Sequence, residues 1–297
     1  MKKLNIFYKV LIFSLFLITG VGCKSTPVVQ KTVHPLNLID NNSSFYLKIP
    51  TKQDKSLVAS IVEHNIKDVS ESDANLIAER IDTIYLGINK RRKSTEFQLS
   101  ASCSIPRIAI SKIFTKKNGW NSEKLILQNQ LGDEVEYKVF DNSELLLSLP
   151  SQNLVVLGRA VPSMVEVYNT YFYEIENGPV FNLNPLITEW FAKDDDAIRF
   201  FATKPQSFLT ILTGANLNYK LVYVCGTIIS DTKRDDQYIM NLEFEFREKK
   251  VVPAAKAALS LAFGLTNSEV YLETPTHLVI SNIKISKKEL YKILVLK

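Results

Sequence analysis

A β-α-β-β-α-β order of predicted elements, with extra elements in the first half, occurs twice in this chain, and this repetition most narrows the folds that the chain can adopt. Apolar patterns in the first half predict strands at 45–49, 83–88, 96–104, 135–140, 144–149 and 153–157, and helices at 54–66, at 72–80 and from Pro106. Those in the second half predict strands at 198–202, 220–228 and 238–246, helices at 205–213 and from Pro253, and a final hairpin at 269–283. We therefore expect an α+β fold of two tandem βαββαβ (ferredoxin-like) domains, with mostly antiparallel sheets and helices on one face.

Composition divides the chain further. Residues 24–44 contain Pro27, Pro35 and several Ser and Asn with little periodicity, which is typical of a flexible linker. The predicted boundaries are a leader at 1–22, a flexible stalk at 23–44, a first α+β repeat at 45–160, an aromatic connector at 161–196 and a second α+β repeat at 197–297.

The first two dozen residues have the layout of an export signal. Lys2, Lys3 and Lys9 precede the apolar run 10–22, which ends at Cys23. The run is shorter than the ~20 residues that a membrane-spanning helix needs, and small residues precede the cysteine, as a signal peptidase requires. An uncleaved anchor, an ordinary secretory signal cut elsewhere and a buried helix are the alternatives.

The segment Ile18-Thr19-Gly20-Val21-Gly22-Cys23 resembles the lipobox of bacterial lipoproteins, in its looser spirochaete form. Gly22 and Cys23 match that pattern, whereas Gly20 stands where most lipoboxes carry an aliphatic residue. The resemblance implies that diacylglycerol is attached to Cys23, that cleavage occurs just before it, and that acyl chains such as palmitate hold the protein on a membrane. Lys24 is not the Asp that retains enterobacterial lipoproteins at the inner membrane, so the outer membrane is favoured, on its periplasmic or its surface face.

Charge and cysteine content exclude some classes of protein. The leader holds three of the 36 basic residues and none of the 31 acidic ones, so the remaining chain is close to neutral and gives no case for nucleic-acid binding. Cys103 and Cys225 lie in strand-like runs. An exported protein could pair them in a disulfide, or they could be two buried free thiols that pack as small apolar residues.

The connector is the most aromatic part of the chain. Its aromatic residues are Tyr168, Tyr171, Phe172, Tyr173, Phe181, Trp190 and Phe191. Asn184 and Pro185 are typical of a helix start and predict a short helix through Ala192. Side chains of this size must be covered or else form an exposed patch. Either the connector packs the two halves together, or Tyr168, Tyr171, Tyr173, Trp190 and Phe191 form a binding surface for a protein or a small ligand.

The sequence contains no motif for a known chemistry. It lacks a nucleophile elbow, a zinc-binding helix motif and a phosphate-binding glycine loop. The acids at 194–196 lack the spacing of a calcium loop. We expect no catalytic residues, no metal site and no cofactor, in a lipid-anchored cell-envelope protein that acts as a non-enzymatic binding or interaction module. A structural scaffold component of an envelope assembly, or a hydrolase that uses scattered carboxylates, are the alternatives.

Overall fold

The structure is a computed structural model that describes residues 31–52, 54–65, 69–90, 95–106, 110, 113–193, 195–213, 219–234, 236–263 and 268–295. The chain from Val33 to Lys297 forms one compact unit. The leader, Cys23 and the first part of the predicted stalk lie outside the described residues.

Twelve strands form one sheet in which every described pair is antiparallel. The strands are β1 (Phe45–Pro50), β2 (Ile81–Lys90), β3 (Thr95–Cys103), β4 (Asn121–Gln128), β5 (Glu134–Asp141), β6 (Leu146–Ser151), β7 (Leu154–Gly158), β8 (Ile198–Ala202), β9 (Leu221–Ser230), β10 (Gln237–Phe246), β11 (Glu269–Leu272) and β12 (His277–Ser286). Their order across the sheet is β11-β12-β10-β9-β8-β1-β2-β3-β7-β6-β5-β4.

Seven described α-helices cover the sheet. They are α1 (Lys55–Asn65), α2 (Glu71–Ala78), α3 (Val161–Tyr173), α4 (Pro185–Ala192), α5 (Pro205–Thr213), α6 (Val252–Phe263) and α7 (Lys287–Val295). On one side, which we call the helical face, α1, α2, α5, α6 and α7 bury residues such as Leu57, Leu209 and Leu259 against the sheet. The opposite side, the connector face, carries a second core in which α3 and α4 contribute Met164 and Phe191.

The expected α+β fold with antiparallel strands is confirmed, whereas two ferredoxin-like domains with helices on one face are not what the sheet shows. β1 and β8 pair directly, from Phe45 opposite Ala202 to Lys48 opposite Arg199, and this pairing joins both halves into one sheet. A split βαβ unit places another strand between the two that a helix connects. Here β1 and β2 are antiparallel neighbours, because two helices, α1 and α2, return the chain to the end of the sheet that it left.

Alternation of side chains decides which face each strand presents. Along β10, residues at even positions such as Leu242 and Phe244 are buried on the helical face, while Glu243 and Glu245 point to the other side. β1 is different, since all six of its residues are buried. A strand buried on both faces lies in the centre of a sheet that is covered on both sides.

The predicted stalk is too long, because residues 33–44 pack against the sheet. A 3-10 turn at Pro35–Leu38 is capped by His34, whose Nδ1 accepts a hydrogen bond from the Leu36 amide (3.2 Å). Leu36, Leu38 and Ile39 are buried in the core of the connector face. The three aliphatic side chains within a polar segment explain why this part of the chain folds onto the sheet.

Candidate functional site

The connector lies on the sheet rather than apart from it. α3 packs against β6 and β7, and α4 packs beside β8. As the sequence predicted, α4 begins at Pro185 and is capped by Asn184, whose Oδ1 accepts a hydrogen bond from the Leu186 amide (2.9 Å). The connector therefore covers the core of the connector face.

Three of the five residues proposed as a binding surface are core residues. Tyr168, Trp190 and Phe191 are buried, whereas Tyr171 and Tyr173 are partly exposed. Tyr168 meets Tyr137 of β5 edge to face, with ring centroids 6.1 Å apart. Most of these aromatic residues therefore pack in the core, as in the first of the two interpretations of the connector. Tyr171 and Tyr173 remain at the surface.

A cluster of charged groups lies where α4 ends against the junction of the two halves. Lys48 Nζ donates to the carbonyl oxygens of Phe191 (3.3 Å) and Lys193 (3.0 Å). Arg199 forms an ion pair with Asp195, with Nε 3.0 Å from Oδ1. The Trp190 ring lies within 5 Å of both Lys193 Nζ and Arg199 Cζ, in cation–π geometry. These contacts hold the end of α4 against β1 and β8.

An exposed apolar surface occurs on α6, at the helical face of the second half. The inner side of this helix buries Val252, Ala255 and Leu259. Its outer side exposes Pro253, Ala254, Ala257, Leu261 and Ala262, and Leu261 is 81% exposed. Leu272 of β11, the strand beside α6, is also exposed.

Basic residues border this surface at one end. Lys249 and Lys250 form the 3-10 turn that leads into α6, and both are exposed. Glu248 accepts hydrogen bonds from Lys220 Nζ (2.6 Å) and Lys250 Nζ (2.7 Å), which lower its pKa to about 2. We call the outer side of α6, with Leu272, Lys249 and Lys250, the α6 surface.

Sequence reasoning predicted a helix from Pro253, which agrees with α6, but it did not identify the exposed outer side of this helix. The signal for the outer side was available, since Lys256 is the single charged residue among the twelve of α6. A helix that is apolar all round is normally buried on all sides or faces a lipid phase. Within the described ranges, no helix is both long and apolar enough to span a bilayer.

Comparison with known proteins gives a consistent result. The family described as "Outer membrane-associated lipoprotein TP0453" matches residues 30–291. Outer membrane protein TP0453 of Treponema pallidum (strain Nichols) is 26% identical over 128 residues, which are 43% of this chain and 41% of that protein. The aligned region thus spans less than half of that relative's length.

Solved structures of TP0453 resemble this one along most of the chain. Crystal form I has a TM-score of 0.66 at 20% identity and covers 89% of this chain and 97% of its own. Crystal form III gives the same TM-score and identity and covers 90% and 99%. At this level of identity the likeness shows a shared fold.

Proposed function

This chain belongs to the TP0453 family of outer membrane-associated lipoproteins, and we propose that it is a non-enzymatic binding module held on the membrane at two places. The first is lipid on Cys23, and the second is the α6 surface. A lipid-anchored location in the cell envelope agrees with the family and with the relative from Treponema pallidum.

The lipid site is supported by the leader. The family match begins at residue 30 and does not include Cys23. The assignment of lipid to Cys23 therefore rests on the lipobox-like segment 18–23. Diacylglycerol places more than one acyl chain on this cysteine, which suffices to anchor a protein, whereas a single chain binds membranes only marginally. A second contact from the folded part would add to this anchor and orient the fold on the membrane.

The α6 surface carries this proposal, because it combines exposed aliphatic side chains with bordering cations. Leu261 and Leu272 would enter the interfacial region, where burial of apolar area is favourable by about 25 cal/mol per Å². Lys249 and Lys250 lie where they would meet anionic headgroups, which attract basic side chains at a membrane surface.

Vesicle flotation tests the second contact. The chain from Lys24 onward lacks the leader and Cys23 but retains the compact unit, so it isolates the contribution of the fold. We expect it to bind vesicles that contain anionic lipid and Leu261→Glu to lower the bound fraction several-fold. Leu131→Glu is the matched control, since Leu131, in the β4–β5 turn, is 86% exposed. Equal binding by the two variants would refute contact through α6.

We also propose that the halves arose by duplication. The order β1-β2-β3-β7-β6 in the first half corresponds to β8-β9-β10-β12-β11 in the second, which supports this history. The corresponding prolines, Pro106 and Pro253, both follow the third strand of their half. Superposition of the five equivalent strands in an experimental structure is the test, and helices after those prolines that fail to coincide would contradict it.

A further inference from the structure

The connector face is covered in the first half and open in the second. Over β5 and β7 it carries apolar side chains such as Val139, Leu154 and Val156, which α3 buries. In the second half, the core of this face extends only to Cys225 and Tyr223 of β9. Beyond them Val279 is buried, but the other side chains that β10, β11 and β12 present on this face, such as Asn241 and Tyr271, remain partly or fully exposed.

Two cross-strand rows define this open face. In one, Tyr223, Glu245 and His277 are consecutive partners across β9, β10 and β12. In the next, Cys225, Glu243, Val279 and Tyr271 follow one another from β9 to β11. Directly opposed residues share a face of the sheet, so the side chains of both rows point the same way. We use "open face" for Tyr223, Glu243, Glu245, Tyr271, Glu273 and His277.

Carboxylates gather around His277, which the sequence analysis did not select. His277 Nδ1 lies 3.1 Å from Glu245 Oε2, and Nε2 lies 3.5 Å from one oxygen of Glu243 and one of Glu273. One imidazolium offsets at most one of three negative charges. No group of His, Cys, Asp and Glu within the described ranges has an arrangement that could hold a metal ion.

Burial and the nearby carboxylates raise the pKa of two neighbouring groups, the Tyr223 hydroxyl and the Cys225 thiol. Burial first, and then Cys225, Glu245 and Glu243, raise the pKa of Tyr223 to about 12. Burial and Glu243, whose Oε2 lies 3.9 Å from the thiol, also raise the pKa of Cys225.

Cations are scarce on these four strands. Lys284 is the single Lys or Arg of β9 to β12. It lies opposite Ile239, near the other end of β10 from Glu245. Lys193 and Arg199 border the open face on the side of α4, where Arg199 is already paired with Asp195. The open face therefore has excess negative charge and offers two tyrosine side chains as apolar contacts.

We propose that the open face binds a partner protein through a lysine- or arginine-rich segment. Complementary charge steers such a segment to the carboxylates and sets its register. Tyrosines are frequent anchors of protein interfaces, because their rings pack while their hydroxyls stay hydrogen-bonded. An anionic bilayer would be repelled here, and the open face lies on the opposite side of the sheet from α6, so the two surfaces can be occupied together.

Fluorescence anisotropy with a labelled deca-lysine peptide tests this proposal on the full chain in uncharged detergent. We expect saturable binding in 50 mM salt that weakens at least tenfold in 300 mM salt. Glu243→Gln combined with Glu245→Gln should weaken binding about tenfold. Glu134→Gln combined with Glu136→Gln is the matched control, because it removes the same charge at the same spacing on β5, and it should change affinity less than twofold.

A single substitution at an exposed position separates loss of binding from loss of folding. The Glu273 side chain is 65% exposed, so Glu273→Gln leaves the core intact, and it should weaken binding about threefold. Equal losses in both double variants, or no saturable binding by the wild-type chain, would overturn the proposal. Self-association that depends on Glu243 and Glu245, without peptide binding, would overturn it in favour of a second copy of this chain.

Discussion

Lys48 of β1 and Arg199 of β8 are direct partners across the strand pair that joins the two halves, and both side chains are buried. Two adjacent cations in a core are costly unless hydrogen bonds and opposite charge compensate them. Lys48 donates hydrogen bonds to the backbone carbonyls of Phe191 and Lys193, and Arg199 forms an ion pair with Asp195. The junction thus depends on the segment that follows α4.

Asp195→Asn should lower the free energy of unfolding by about 1–2 kcal/mol, because it leaves a buried guanidinium without its carboxylate. Burial of Asp195 alone would raise its pKa, but hydrogen bonds and the charge of Arg199 outweigh this and lower it. A lowered folded-state pKa means that the contribution is present above about pH 4 and is lost as pH falls. Denaturant midpoints at pH 7 and below pH 3 measure this difference, and Asp196→Asn, at an exposed neighbour, is the control.

Trp190→Ala should cost about 3–5 kcal/mol, as expected for truncation of a buried aromatic side chain. Leu186→Ala, on the same helix at a position that is 50% exposed, should change stability by less than about 0.5 kcal/mol. Urea denaturation of both variants compares them. A loss below about 1 kcal/mol for Trp190→Ala would show that α4 is not held by its core contacts.

Asp54 connects the two halves on the helical face. Its carboxylate accepts hydrogen bonds from the Leu57 amide (2.9 Å), from the Tyr238 hydroxyl of β10 and from Lys287 Nζ of α7 (2.9 Å). Burial opposes ionisation, but these bonds and one from Ser56 lower its pKa to about 2.

Because the folded-state pKa of Asp54 is depressed, its stabilisation should be complete above about pH 4 and disappear as pH falls toward 2. Asp54→Asn should therefore destabilise the protein by about 2 kcal/mol at neutral pH. Thermal unfolding as a function of pH measures the gap between variant and wild type. A gap that stays constant down to pH 2 would contradict this account.

Cys103 and Cys225 are both buried and free. Cys103 belongs to the core of the helical face and Cys225 to that of the connector face, so the sheet separates them. Burial raises the pKa of both thiols, that of Cys103 to about 11. The folded chain lacking its leader and Cys23 should react with Ellman's reagent at pH 8 only after unfolding, and then with two thiols. Fast reaction of the folded chain would contradict this burial.

Cys23→Ala should leave a precursor that retains its leader and takes up no radiolabelled palmitate. The lipobox-like segment supplies the reason, because the cysteine sulfur is the atom that receives the lipid in such proteins. Cys103→Ala is the control and should label as the wild type does. Persistent labelling of the Cys23→Ala precursor would disprove lipid attachment at this residue.

Local patterns predicted individual elements well and long-range pairing poorly. Alternation along β10 and the Asn184-Pro185 start of α4 depend on neighbouring residues and agree with the structure. The pairing of β1 with β8 has no local signature. In the structure, this pairing goes with the complete burial of β1. In the sequence, Lys48 makes β1 resemble a strand that has one exposed face, so the central position of β1 was not predicted.

The sequence did not indicate the proposed binding surfaces, for related reasons. Trp190 and Phe191 have the composition of a binding surface, yet the sheet beneath them was not foreseen, and it buries both. The outer side of α6 escaped notice because it is made largely of small residues, with Leu261 as its single large aliphatic side chain. The carboxylates around His277 come together only through strand register.

The central position of the β1–β8 pair has a consequence for how the chain reaches its folded state. The Thr203 hydroxyl donates to the Ser43 carbonyl (2.9 Å) across 160 positions of sequence, so the middle of the sheet closes only after most of the polypeptide is present. Contacts of such high sequence separation slow folding. During export the first half would meanwhile expose β1 as an unpaired apolar edge, of the kind that promotes aggregation. Chains that end before β8 should therefore depend on periplasmic chaperones far more than the complete chain does.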